Sequence, residues 1–168
     1  FSGEALAAKW YFPKIASRDT GLAERLRDSI RSTSPSDSFL WPISLLEPSA
    51  KSCDDLKIPE GSFGYLMRLR PDGYVGAIDH SAAKISISIR SVVRACFQLA
   101  EAFDQLHSKG LCYKDISIGN IFMHPDNGDI LICDNDNVEE NGKNHGLALG
   151  TAGFMAPEVL LGNAKPSA

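Results

Sequence analysis

The chain has 168 residues, a formal net charge of −4, and 43% apolar against 23% charged residues. This is the balance of a folded domain with its own core and excludes a disordered tail. The acidic balance and the lack of any Lys/Arg block argue against a nucleic-acid partner. No apolar run approaches the ~20 residues that span a bilayer, and no stretch has the pattern of a signal peptide. The four cysteines at 53, 96, 112 and 133 form no CxxC pair and no zinc-ligand spacing. Free thiols in a reducing, cytoplasmic compartment are expected.

The first predicted element is a strand over 5–12 (ALAAKWYF), with Ala7, Lys9 and Tyr11 on one face, ended by Pro13. Asp19-Thr20 can cap a helix running to about Ser32, with Leu22, Leu26 and Ile30 as its apolar row. A polar Ser/Pro loop follows over 32–38. Strands are expected over 39–46 and 63–69, with a polar stretch between them, and Arg70-Pro-Asp-Gly73 is a turn. The long helix over 89–108 places Val92, Cys96, Leu99, Phe103 and Leu106 on one buried face, and Lys109-Gly110 closes it. Ile121-Phe-Met123 and Ile130-Leu-Ile132 then flank an Asn-Gly turn and form a hairpin.

Acidic and amide residues gather at the open end of that hairpin. The stretch YKDISIGN (113–120) places Asp115 and Asn120 before it, and Asp134-Asn135-Asp136 follows it. A magnesium ion carrying nucleotide phosphates needs only a few hard oxygen ligands from protein. Asn120 and Asp134 can supply an amide and a carboxylate oxygen, leaving Asp115 to accept a proton from an incoming hydroxyl. That division of labour suits phosphoryl transfer.

With these residues on the page, the chain resembles the protein-kinase family, whose signature is H-R-D, an Asn five residues later, D-F-G and A-P-E. The corresponding residues are Tyr113-Lys114-Asp115, Asn120, Asp134-Asn135-Asp136 and Ala156-Pro157-Glu158. The last of these closes Gly150–Glu158, which looks like the family's substrate-docking loop. Ala7-Ala8-Lys9 resembles the strand motif V-A-I-K. The resemblance implies an incomplete two-lobe α+β fold, with a partial N-terminal lobe over 1–70 and a partial C-terminal lobe over 71–168. It also implies a longer protein, with a Gly-rich loop before Phe1 and further helices after Ala168, and little activity from this piece alone.

The resemblance assigns roles. Asp115 would be the base, Lys9 would hold the α- and β-phosphates of ATP, and Asn120 and Asp134 would hold Mg²⁺ or Mn²⁺. Glu24 would be the helical partner of Lys9, with Asp19 as the other candidate. Ala7, Met67, Leu69 and Arg70 would frame the adenine. Thr151 matches the threonine that bonds near the catalytic Asp in Ser/Thr kinases, so Ser/Thr hydroxyls of protein substrates are the expected acceptors.

Several letters depart from the pattern. Tyr113 replaces a packing His, and Lys114 replaces the Arg that clamps a phosphorylated activation loop; Lys cannot bind bidentately as Arg does. No Ser, Thr or Tyr lies between Asn135 and Gly150, so activity is expected not to need phosphorylation within that segment. Ser117 stands where a lysine usually contacts the γ-phosphate. Asn135 is a poor apolar plug, and Asp136 adds a carboxylate beside the metal site that would re-tune divalent-ion binding. The wording of 131–138 points to a bacterial member. A pseudokinase scaffold is the alternative. A small-molecule kinase shares Asp-x₄-Asn but lacks the docking loop.

Overall fold

The computed structural model describes residues 3, 5–82, 84–143, 150–165 and 167. Strand β1 (Leu6–Tyr11) pairs antiparallel with β3 (Phe63–Arg68), which pairs on its other edge with β2 (Ser44–Leu46). The register sets Ala7 opposite Met67 and Lys9 opposite Tyr65, so alternate residues of β1 and β3 share the face that meets helix α2 (Leu22–Arg31). Tyr11, Leu22, Leu26 and Tyr65 form a buried core there. Each such side chain contributes about 1.5–3 kcal/mol relative to exposure. Gly64 is required in β3, because a Cβ on it would lie 2.2 Å from the Lys9 carbonyl oxygen.

A short helix α1 (Pro13–Ala16) follows β1, and α3 (Ala50–Leu56) fills the polar stretch between β2 and β3. Ser49 caps α3 by accepting from the Ser52 amide at 3.2 Å. Only Cys53 of this seven-residue helix is buried, too little apolar periodicity to announce it. The strand expected over 39–46 is shortened to Ser44–Leu46. Pro42 cannot donate to a ladder, and Phe39, Leu40 and Trp41 are instead buried, with Phe39 and Trp41 in a second core.

That second core lies between helix α5 (Ile89–Ser108) and the hairpin of β6 (Ile121–Met123) and β7 (Ile130–Ile132), reached through β4 (Val75–Gly76) and α4 (Ala77–Ser81). Ala95, Ala102, Leu106, Met123, Ile130 and Ile132 meet there. The expected buried row of α5 needs correction: Cys96 is exposed, and Ser91 and Ala95 occupy the inner face. The hairpin turn packs on this face: the Ser91 hydroxyl donates to the Asp126 carbonyl at 3.1 Å, and a Cβ on Gly128 would lie 2.3 Å from the Ser91 carbonyl oxygen, which requires glycine at 128. Strand β5 (Leu111–Tyr113) pairs with β8 (Val138–Glu140), and α6 (Pro157–Leu160) comes last.

Candidate active site

The loop between β5 and β6 is closed by its own side chains. The Asn120 amide donates from Nδ2 to the Asp115 carbonyl oxygen at 2.9 Å, and the Asn120 backbone amide donates to the Ser117 carbonyl at 3.1 Å. Thr151 donates from Oγ1 to Asp115 Oδ1 at 3.0 Å, fixing one carboxylate oxygen. The approach is close at Gly150, where a Cβ would lie 3.1 Å from the Lys114 carbonyl and 3.0 Å from Met155. Tyr113 does more than pack, because its hydroxyl donates to the Cys133 carbonyl at 2.6 Å. This ties the loop to the residue before Asp134. Ser117 makes no side-chain hydrogen bond among the described residues.

Pairing of Ile121 with Ile132 sets the two ends of the hairpin side by side, and the Cys133 amide donates to the Asn120 carbonyl at 2.9 Å. Asp134 then takes a left-handed backbone, φ 60° and ψ 40°, a conformation short polar side chains tolerate better than most. The turn directs two carboxylates at one amine. Lys9 Nζ pairs with Asp134 and lies 3.1 and 3.2 Å from the two oxygens of Asp136. Tyr11 donates its hydroxyl to the same Asp136 carboxylate. Burial works against the Lys9 charge, but Asp136 and Asp134 outweigh it and raise its pKa above the ordinary 10.5. Burial also raises the Cys133 thiol to about 11, with Asp134 adding to the effect.

The expected partner Glu24 is not there. It is exposed on α2, whose buried positions are Leu22, Arg25, Leu26 and Ser29. The Leu22–Leu26–Ile30 row fixes the helix rotation, and Glu24 falls on its outer side. Asp19, the other candidate, is engaged by Arg25, with Nη1 at 3.0 Å from Oδ1, and does not cap α2, whose N-cap is Gly21 without a side-chain bond. Ala7 and Met67 do face each other across the sheet. Leu69 and Arg70 are exposed just beyond β3, with the Arg70 guanidinium over the Phe122 ring at 4.6 Å.

Residues 72–168 match the protein kinase domain family, more than half the chain. The chain belongs to the protein-kinase family. Similar proteins include Protein kinase C delta type of Mus musculus, 39% identical over 75 residues, 41% of this chain and 11% of that protein. Serine/threonine-protein kinase 10 of Homo sapiens is 30% identical over 109 residues, 61% of this chain and 11% of that protein. Protein kinase gsk3 of Schizosaccharomyces pombe is 25% identical over 85 residues, 49% of this chain and 22% of that protein. The chain thus spans about a tenth to a fifth of the length of these relatives. All three are eukaryotic and lend nothing to a bacterial origin.

Within the kinase fold, the Asn135 side chain is fully buried and donates to the carbonyls of Leu40 at 2.9 Å and Ile132 at 3.1 Å. The amide is a hydrogen-bonded plug, where the sequence suggested a weak one. Lys114 is ion-paired with Glu139, with side-chain exposures of 5% and 4%. Glu139 lies on β8 just after the 134–137 turn, opposite Cys112 of β5. Burial, then the nearby Arg25, push the Lys114 pKa down, and Glu139 is its direct counter-charge.

The donor set suits a hard cation. Asn120 spends its Nδ2 on Asp115, so Oδ1 is left for a ligand, and Asp134 begins one residue from its backbone link. Among the described residues no group of three or more His, Cys, Asp or Glu side chains could hold a metal ion. An amide oxygen with one carboxylate is the sparse set that magnesium accepts together with nucleotide phosphates. No described helix is long and apolar enough to cross a membrane.

Proposed function

We propose that this chain carries the catalytic centre of a cytoplasmic Ser/Thr protein kinase. The reading is supported above all by Asp115, whose carboxylate is held by Thr151 and whose backbone is held by Asn120. ATP with Mg²⁺ or Mn²⁺ would supply the phosphoryl group and neutralise its charge, held by Asn120 Oδ1, the Asp134 carboxylate and the Lys9 ammonium. Asp115 Oδ1 is tied to Thr151, so Oδ2 faces the substrate hydroxyl and accepts its proton. Thr151 holds that carboxylate by one oxygen, and the match of Thr151 to the threonine of Ser/Thr kinases supports a peptide Ser or Thr as the acceptor.

The test is phosphorylation of mixed Ser-, Thr- and Tyr-containing peptides by the full-length protein. Asp115→Asn should lower kcat by roughly 10²–10⁴-fold with nucleotide binding retained. Equal labelling of Tyr peptides would overturn the hydroxyl preference. The pseudokinase reading has one observation in its favour: among the described residues, no helical glutamate reaches Lys9. It would be established by ATP binding without any turnover sensitive to Asp115→Asn.

A further inference from the structure

The inner face of α2 brings Lys9 no carboxylate. It brings a cation, Arg25, which is buried and takes Asp19 as its own counter-charge. Two cations from different elements therefore approach the loop after β7, Lys9 from the sheet and Arg25 from the helix. They meet at one residue. Lys9 contacts both carboxylate oxygens of Asp136, and Arg25 Nε donates to the Asp136 carbonyl at 3.4 Å.

The two carboxylates on Lys9 are not equivalent. The Asp134 side chain is 35% exposed, whereas that of Asp136 is 6% exposed. Asp136 is also held by the Tyr11 hydroxyl. A carboxylate so far removed from water is costly unless charge and hydrogen bonds surround it, and here a lysine and a tyrosine do so. Asp134 is the accessible member, able to turn toward a ligand. Asp136 is the fixed one, and it holds the amine whichever way Asp134 points.

We propose that Asp136 is the positioning carboxylate that orients Lys9 toward nucleotide phosphates, in place of a glutamate on α2. Arg25 joins the placement of α2 to the same residue through its backbone. Asp136 acts through Lys9 and touches no reacting atom. The residue that replaces the glycine of D-F-G thus takes the place of the missing helical acid, and the pair spans β1 and the metal loop instead of β1 and the helix. The inference rests on the kinase reading for its ligand, but the pairing itself can be tested without one.

The test uses the full-length protein as wild type, Asp136→Asn, Asp136→Glu, Glu24→Gln, Lys9→Met and the Lys9→Met/Asp136→Asn double variant. A fluorescent ATP analogue is titrated with and without Mg²⁺, and thermal unfolding is followed without nucleotide. Asp136→Asn should weaken nucleotide binding about tenfold or more, the scale of one charged contact. Asp136→Glu should restore most of the affinity, and Glu24→Gln should stay at the wild-type value. In the Lys9→Met background Asp136→Asn should cost no further affinity. Wild-type affinity in Asp136→Asn, or a loss in Glu24→Gln as large as that in Asp136→Asn, would overturn the proposal. If the wild type binds no nucleotide, the kinase reading fails, and the melting temperatures decide the pairing alone. Non-additive shifts sustain it, and additive shifts refute it.

Discussion

Two lysines of this kinase domain are paired with acids, and they are held in opposite ways. Lys9 sits at the edge of the sheet with 28% of its side chain exposed, facing two carboxylates. Lys114 is sealed beneath the 114–120 loop with Glu139 as its direct acid partner and a guanidinium nearby. Excess negative charge raises the pKa of the first, and burial lowers that of the second. On the proposed reading, the cation that meets a ligand is left within reach of water and faces two acids. A cation kept for architecture is buried with a matched partner.

The contrast is broken most directly at Lys114. Lys114→Met alone should cost about 3–5 kcal/mol, because it removes one partner of a buried ion pair. Replacing both partners with apolar residues (Lys114→Met with Glu139→Leu) should recover most of that stability in denaturant unfolding. Equal stability of the single variant and the wild type would mean that the pair is not structural. The double variant should also keep activity, since it removes the buried pair as a unit and leaves the Thr151–Asp115–Asn120 contacts in place.

At Lys9 the order of effects is reversed. Lys9→Met should abolish most nucleotide affinity while moving the melting temperature less than Lys114→Met does. The loss is smaller because the ammonium is part-exposed and the buried Asp136 keeps its Tyr11 and Arg25 contacts. A melting loss at Lys9 equal to that at Lys114 would erase the distinction between the two sites.

Alkaline titration sharpens the comparison further. The raised pKa of Lys9 means that its stabilising contribution is complete below 10.5 and is lost as pH climbs through the higher folded value. Lys114 has the opposite sign: its lowered pKa makes the charged form a burden that lightens as pH rises toward 10.5. Melting curves from neutral pH to above 10.5 should therefore fall less steeply for Lys9→Met than for the wild type. A steeper fall would contradict the assignment.

The smallest effect concerns thiols that lie beside each lysine. Cys112 is buried next to Lys114, and Cys133 precedes Asp134 with its thiol raised to about 11. Mass spectrometry after limited alkylation should find the exposed Cys96 modified before either. Early labelling of Cys112 would show that the sealed region opens.

Much of this was legible in the sequence wherever one residue type is tied to one job. Asp115 and Asn120 were picked out by spacing and Thr151 by the family resemblance, and hydrogen bonds join the three. The long helix and the hairpin followed from period and turn chemistry. What escaped depends on rotation and close approach. Glu24 has the right type and distance along the chain, but the apolar row turns it outward. Cys96 fits an apolar stripe, but the helix turns Ser91 and Ala95 inward and leaves it exposed. Tyr11 and Asp136 lie 125 positions apart in the chain, and no local pattern announces that they meet. Helix α3 is too short and too exposed to be read from periodicity.

The buried Asn135 amide has a consequence for how the loop can move. It bonds the carbonyls of Leu40 and Ile132, while the Leu40 amide donates to the Ile132 carbonyl at 2.9 Å and the Ile132 amide to the Ser38 carbonyl at 2.7 Å. Rotating the plug outward would strand polar atoms in the core, so the loop and the 38–40 segment swing together or not at all. Inhibitors that wedge into a space vacated by a flipped aromatic ring have no counterpart here.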